Sequence, residues 1–442
     1  MPLVSDIKPV LSTLLRASEG KLDPELRSQL EVMDSTKFGP DPRVDGNTAF
    51  WVSHSMVHRR HGWYMSARFR SRRAHGNEDF DTVAKSWHCG SGVLKVAVQG
   101  DEYDQTRARM DWHALPGVTE EWRDDDLPLL NDADMEGIGG NHFASGASDG
   151  QIGLAAFRYT HHELETSVHY SAAAANKAYF FLDDSVVGLG NSVRRIQSGQ
   201  GRSIVTTLDQ VRWRGAITFG NASSGAREVI AFDGDPLVGR LPSGGCARTV
   251  PIAPGETLFL HHGHVGYIVA PSAEFRSTLS LELRCGPEVQ ATDAAMADDT
   301  KWGNGRRWKN ETEYWGSDTV FLAVLHHGLS PQNGTYQYAV APGTASEIEQ
   351  LARTLFDRRR VHVVRNDASV MALADLRAGK QNDNYSASAQ VPRPRRLTTR
   401  RASPVPHPYL AASHLVCLSC CCAAPDYAGG LLARRQRGAA LG

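Results

Sequence analysis

The sequence predicts a mainly β protein, a large antiparallel β supersandwich behind a short helical lead. Two observations carry this expectation. From Thr48 to about Val340, short runs of alternating or β-branched residues are broken every eight to twelve positions by Gly, Asn, Asp or Ser. That span is too long for one sandwich, so several stacked sheets fit better than a helical or α/β plan.

Taken in order, residues 3–33 read as two amphipathic helices. Leu11, Leu14 and Leu15, then Leu22, Leu26, Leu30 and Met33, recur at three- and four-residue steps. Asp23 and Pro24 supply an N-cap and a first turn. Two such helices cannot bury their apolar stripes on each other alone and read as the end of something larger. Residues 35–47 read as a linker. Strands are expected at 92–99, 152–159, 178–182, 203–208, 228–232 and 258–260, a helix at 345–356, and a further strand at 360–364. No internal repeat of fixed period is present. Residues 380–442 carry eight Arg and two Asp with no sustained periodicity, a disordered composition. That tail reads either as a basic polyanion-binding arm or, the favoured reading, as an aberrant, non-native extension.

Composition narrows the function classes. A net charge of -1 gives no whole-protein field for nucleic acid or an anionic membrane, so a polyanion would be held by a local basic patch. No run of apolar residues is long enough to span a membrane. The opening M-P-L-V-S-D-I-K-P shows no secretion signal, so either the protein is intracellular or its true N-terminus lies elsewhere. Cys89, Cys246 and Cys285 are an odd, dispersed three, which is no disulfide framework. Cys417, Cys420, Cys421 and Cys422 crowd the tail with a spacing unsuited to a tetrahedral metal, so no metal and no cofactor are expected.

One strip is specific. Met56-Val57-His58-Arg59-Arg60, Gly62-Trp63-Tyr64, Ser66-Ala67-Arg68, Trp87-His88, Tyr103 and Asp111-Trp112 with Leu115-Pro116-Gly117 follow one another over seventy residues. Their order and spacing resemble the central β domain of polysaccharide lyase family 8, the hyaluronate, chondroitin AC and xanthan lyases. Downstream, Ser148-Asp149-Gly150, residues 177–181 and 207–210, Gly266-Tyr267 and His326-His327-Gly328 extend the resemblance, and Val364-Arg365-Asn366-Asp367 resembles the start of the family's C-terminal β domain. The resemblance implies four parts. Residues 1–44 are the last helices of a truncated α/α toroid plus a linker. Residues 45–345 are the central, galactose-mutarotase-like supersandwich. Residues 346–379 are a helix and the start of a truncated C-terminal β domain, and 380–442 are the aberrant tail.

The same resemblance implies a carbon–oxygen lyase that cleaves an acidic polysaccharide by β-elimination beside a uronic acid, acting outside the cell as a monomer without nucleic-acid or membrane partners. The chemistry needs a neutralised carboxylate, a base for the C5 proton and an acid for the departing oxygen. In the family most of those groups lie on the toroid, so the chain as given is expected to be inactive. One cleft carboxylate belongs to the β domain, and Gly76-Asn77-Glu78 matches its motif, with Trp87 nine residues on. Glu78 is therefore the catalytic candidate. Asn77, Asp81 (in place of an asparagine), Arg59, Arg60, Trp87 and His88 are substrate-binding candidates. The alternative function is a non-catalytic module that binds an acidic glycan.

Bland readings stand beside these. Arg68, Arg70 and Arg72 alternate onto one strand face, either a polyanion wall or a solvated side. Trp63, Trp87 and Trp112 either stack on sugars or pack. His261, His262 and His264 read as structural rather than as a metal tract.

Overall fold

The structure is a computed structural model. It describes residues 13, 15–17, 21, 23–35, 45–76, 86–103, 106, 110–123, 141–160, 172–197, 201–230, 246–271, 279–286, 320–356, 360–377 and 415–419. Glu78, Asn77 and Asp81 lie outside the described residues.

Helix α1, Pro24–Ser35, starts where the sequence places it. The Asp23 carboxylate accepts from the amides of Glu25 (2.9 Å) and Leu26 (3.3 Å), and proline follows at the first position, where no N–H is missed. The described residues then build four antiparallel sheets. The first takes β1 (Gly46–Phe50), β2 (Ser55–Arg60), β3 (Trp63–Phe69) and β4 (Ser91–Ala97) in sequence order. A large sheet of nine strands has β6 (Ala144–Ser148) at one edge, then β7 (Gly153–Tyr159), β8 (Ala173–Phe181) and β9 (Val186–Arg195). It continues through β18 (Gly334–Pro342), β15 (Val265–Val269), β14 (Leu258–His262), β11 (Ile217–Asn221) and β12 (Ala226–Ile230). A third sheet runs β13 (Cys246–Ile252), β16 (Leu279–Gly286), β17 (Val320–His326), β10 (Ile204–Arg212) and β5 (Thr119–Glu121).

Alternation sorts the core into two layers. On β7, Ala155, Phe157 and Tyr159 join one buried cluster with Met56, Met65 and Phe69 of the first sheet and Leu283, Phe321 and Leu325 of the third. Leu154 and Ala156 face the other way. They pack with Ile348 and Ala352 of helix α2 (Ala345–Thr354) and with Val361 and Leu373 of β19 (Val361–Asn366) and β20 (Val370–Asp375). The large sheet is thus covered on both faces, which is the stacked plan the pattern implied. Thr344 caps α2, its hydroxyl accepting from the Glu347 amide while the Glu347 carboxylate accepts from the Thr344 amide.

Two expectations need correcting. The tail from residue 380 is not wholly without structure, because Leu415–Ser419 forms β21, antiparallel to β20. An edge strand with free N–H and C=O groups recruits it, a long-range pairing that composition does not encode. Cys285 is disulfide-bonded, and the strand register sets Cys246 opposite it. Cysteines far apart in sequence meet once their strands pair.

Candidate functional site

The predicted site residues fall at two ends of the first sheet. Arg59 and Arg60 lie at the β2–β3 turn, where Arg60 pairs with Trp63. The seven-residue strand β3 carries the chain away from that turn by roughly 20 Å. At its far end stand Arg70, the Ser86–His88 turn with Trp87 and His88, and the stems, Gly76 and Ser86, of the segment that holds Asn77, Glu78 and Asp81. Arg60 is also committed locally, its Nη2 donating to Asp183 Oδ1 (2.9 Å) and to the Gln151 carbonyl (2.6 Å). Arg59 is half-buried and contacts no described carboxylate.

The stems are held by backbone contact. A Cβ built on Gly90 would sit 2.3 Å from the Cα of Gly76 and 2.9 Å from the Cβ of Arg70, so only glycine allows this approach. Arg70 is buried there, with its carbonyl accepting from Asn141 Nδ2 (3.2 Å). Strict alternation would have left Arg70 beside Arg68 on one face. Phe69 keeps the inward place that alternation gives it after Met65 and Ala67. Beyond a bulge between Arg68 and Phe69 the next residue, Arg70, is buried as well, while Arg68 stays exposed.

His88 is 1% exposed and neither ring nitrogen has a hydrogen-bond partner. Burial, then the neighbouring His113, Arg70 and Arg123, hold its pKa well below the ordinary value, so the ring is neutral. His113 lies 6.2 Å away ring to ring, and its amide donates to Asp111 Oδ1 (2.9 Å). Arg70 and Arg123, the latter paired to Glu121 Oε2 at 3.5 Å, thus lie beside the neutral His88 ring. Trp87 and Trp112 are buried beside it and support the stems rather than offering a stacking face, whereas Trp63 is half-buried and tilts against His58 at 5.3 Å.

Sequence reasoning missed His113, Arg123 and Asn141, and it set Arg70 on one strand face with Arg68 and Arg72, as a polyanion wall or a solvated side, whereas Arg70 is buried. The only signal was the D-W-H strip, which marks His113 without showing that it faces His88. The reading also missed a polar interior between the large and third sheets. Asp209 accepts from Tyr267 (2.6 Å) and Tyr103 (3.2 Å), and burial raises its pKa to about 7. Glu120, likewise raised to about 7 by burial, accepts from Tyr159 (2.7 Å) and the amides of Ala172 and Ala173. The histidine tract is structural. His262 accepts from the Arg214 amide at 2.8 Å and stacks on Phe321 at 4.6 Å, while His261 Nε2 reaches the Gly343 carbonyl at 2.9 Å. Among the described residues no group of three or more His, Cys, Asp or Glu is arranged to hold a metal ion.

Comparison with known proteins places this architecture. The sequence model of polysaccharide lyase family 8, super-sandwich domain, matches residues 45–353. Chondroitinase-AC of Pedobacter heparinus is 24% identical over 297 residues, covering 66% of this chain and 35% of that protein. Hyaluronate lyase of Thermasporomyces composti is 27% identical over 370 residues, covering 81% of this chain and 41% of that protein. A solved chondroitinase AC lyase structure superposes with a TM-score of 0.59 at 21% identity, covering 84% of this chain and 47% of that one. The chain therefore spans less than half the length of these relatives.

Proposed function

The chain belongs to polysaccharide lyase family 8, whose super-sandwich domain it carries, and from that premise we propose that it furnishes the β half of an enzyme cleaving a chondroitin, hyaluronan or xanthan type of acidic glycan by β-elimination. The match across residues 45–353 carries this reading. The division of labour follows from the chemistry. Elimination needs the uronate carboxylate neutralised, and the Arg70 guanidinium beside His88 supports a role in setting charge at that end. Glu78, with Asn77 and Asp81, is the proposed carboxylate-bearing segment, and Trp87 and His88, which follow it in sequence, are proposed substrate-binding residues. Arg59 is the proposed second anion contact, at the opposite end of the first sheet, with Arg60 bracing its turn.

Among the described residues, Tyr179, Tyr267, Tyr336 and Tyr338 are buried and Tyr103 is half-buried, and desolvation pushes these five hydroxyls up, so none of the five is a base at neutral pH. The chain by itself is proposed to bind glycan without turning it over, which is where the reading as a binding module has its support. Incubation with hyaluronan, chondroitin and xanthan, followed by the absorbance of an unsaturated uronide, tests this. No rise is expected, and a steady rise overturns it. We place the intact protein outside the cytoplasm, since the disulfide at Cys285 persists best in an oxidising compartment.

A further inference from the structure

We infer that the cleft between the β1–β2 turn and the edge strand β6 is a second carbohydrate site, which holds one hexuronate residue of an acidic glycan away from the Glu78 segment. The choice of glycan rests on the function proposed above; the site itself rests on its own geometry. The cleft has a volume of about 240 Å³ and is walled by Phe50, Trp51, His54, Met56, Arg73 and Gly146, with no acidic residue among the described residues of its lining. That volume suits one sugar ring.

Three features point to a ligand with a flat apolar face and a carboxylate. Trp51 is 59% exposed and Phe50 49% exposed at the turn, so an indole face is free for the C–H side of a pyranose. Arg73 donates to the carbonyls of His142 (2.7 Å) and Ala144 (3.0 Å), and Arg68 to the carbonyl of His75 (3.3 Å). No described carboxylate neutralises either guanidinium, so the cleft keeps net positive charge.

The third feature is His54, which is 8% exposed. Arg73 Nη2 lies 3.4 Å from His54 Nε2. A guanidinium can only donate, so Nε2 accepts and the ring proton sits on Nδ1. That Nδ1 is buried with no partner, an orphan donor that an oxygen of a bound ligand would satisfy. His54 also holds a φ of 49° in the β1–β2 turn, a left-handed conformation for which histidine, asparagine and aspartate are enriched among non-glycine residues. Seated in the cleft, a uronate places its ring on Trp51, its carboxylate on Arg73, and one oxygen on His54 Nδ1.

Titrating the 442-residue protein with a hyaluronan tetrasaccharide, by calorimetry and tryptophan fluorescence, tests the site. The Trp51→Ala variant should lose about 10-fold in affinity, the loss of one aromatic anchor. His54→Asn, which tolerates the same φ without supplying Nδ1, should lose about 3-fold, the share of one net hydrogen bond. Cellotetraose, the neutral probe, should bind at least 10-fold more weakly than the acidic tetrasaccharide. Equal affinity of Trp51→Ala and the parent, equal binding of the neutral probe, or no binding of the tetrasaccharide each overturns the site. Elimination activity is read separately by absorbance, so failure here leaves the lyase reading standing.

Discussion

His88 keeps two polar ring nitrogens buried without a bond, and an unmet buried donor costs about 1–3 kcal/mol. Replacing it by an apolar side chain of similar size removes that cost. His88→Leu should therefore unfold at the same urea concentration as the parent or a higher one; a loss above about 1 kcal/mol would mean that the ring makes a bond the account omits. Asp209 offers a pH test. Burial raises its folded pKa from the ordinary 3.8 to about 7. An acid raised in this way contributes stability fully present below its unfolded pKa, and that stability is lost as pH rises through the folded value. Thermal melts of Asp209→Asn against the parent should shift in favour of the variant between about pH 4 and pH 7, then level off. A constant difference across that window would contradict the assignment. At this scale the sequence was only partly legible. Trp87-His88 and Asp111-Trp112 marked the neighbourhood, but burying Arg70 took a bulge that no residue pattern announces.

Among the elements, the existence of strands was readable even where they are buried on both faces, as in β10, while their bounds were not. The expected strand at 178–182 is the second half of a strand that begins at Ala173. Its first half, A-A-A-N-K, has the composition of a helix. It is extended because β7 and β9 pair with it on both sides in the middle of the large sheet, where tertiary context overrides propensity. The neighbouring β9 shows why small residues recur there. A Cβ on Gly190 would lie 2.0 Å from the Tyr336 ring, and one on Gly188 would lie 2.7 Å from the Tyr338 ring. Gly190→Ala should cost about 1–3 kcal/mol through overpacking, measured as a lower urea midpoint with an unchanged slope. An unchanged midpoint would mean that the tyrosine layer is looser than its geometry indicates.

For the whole molecule, the stacked-sheet plan followed from the length and spacing of the strand signals. The pairings of β10 with β5 and β17, or of β18 with β9 and β15, did not, because contacts across such sequence separations leave no local trace. Function divides in the same way. The family strip was legible, while the clustering of Arg70, His113 and Arg123 about His88, and the unneutralised cleft beside Trp51, exist only once sheets stack. The central claim is that this chain is the β half of an acidic-glycan lyase in which Glu78 contributes to catalysis. The most direct measurement takes the product of the complete reading frame around this sequence, with and without Glu78→Gln, and follows unsaturated-uronide absorbance on hyaluronan, chondroitin and xanthan. The account predicts a steady rise on at least one glycan and a loss on the order of 100-fold in kcat for the variant. No rise on any of the three, or a variant as fast as the parent, would contradict it.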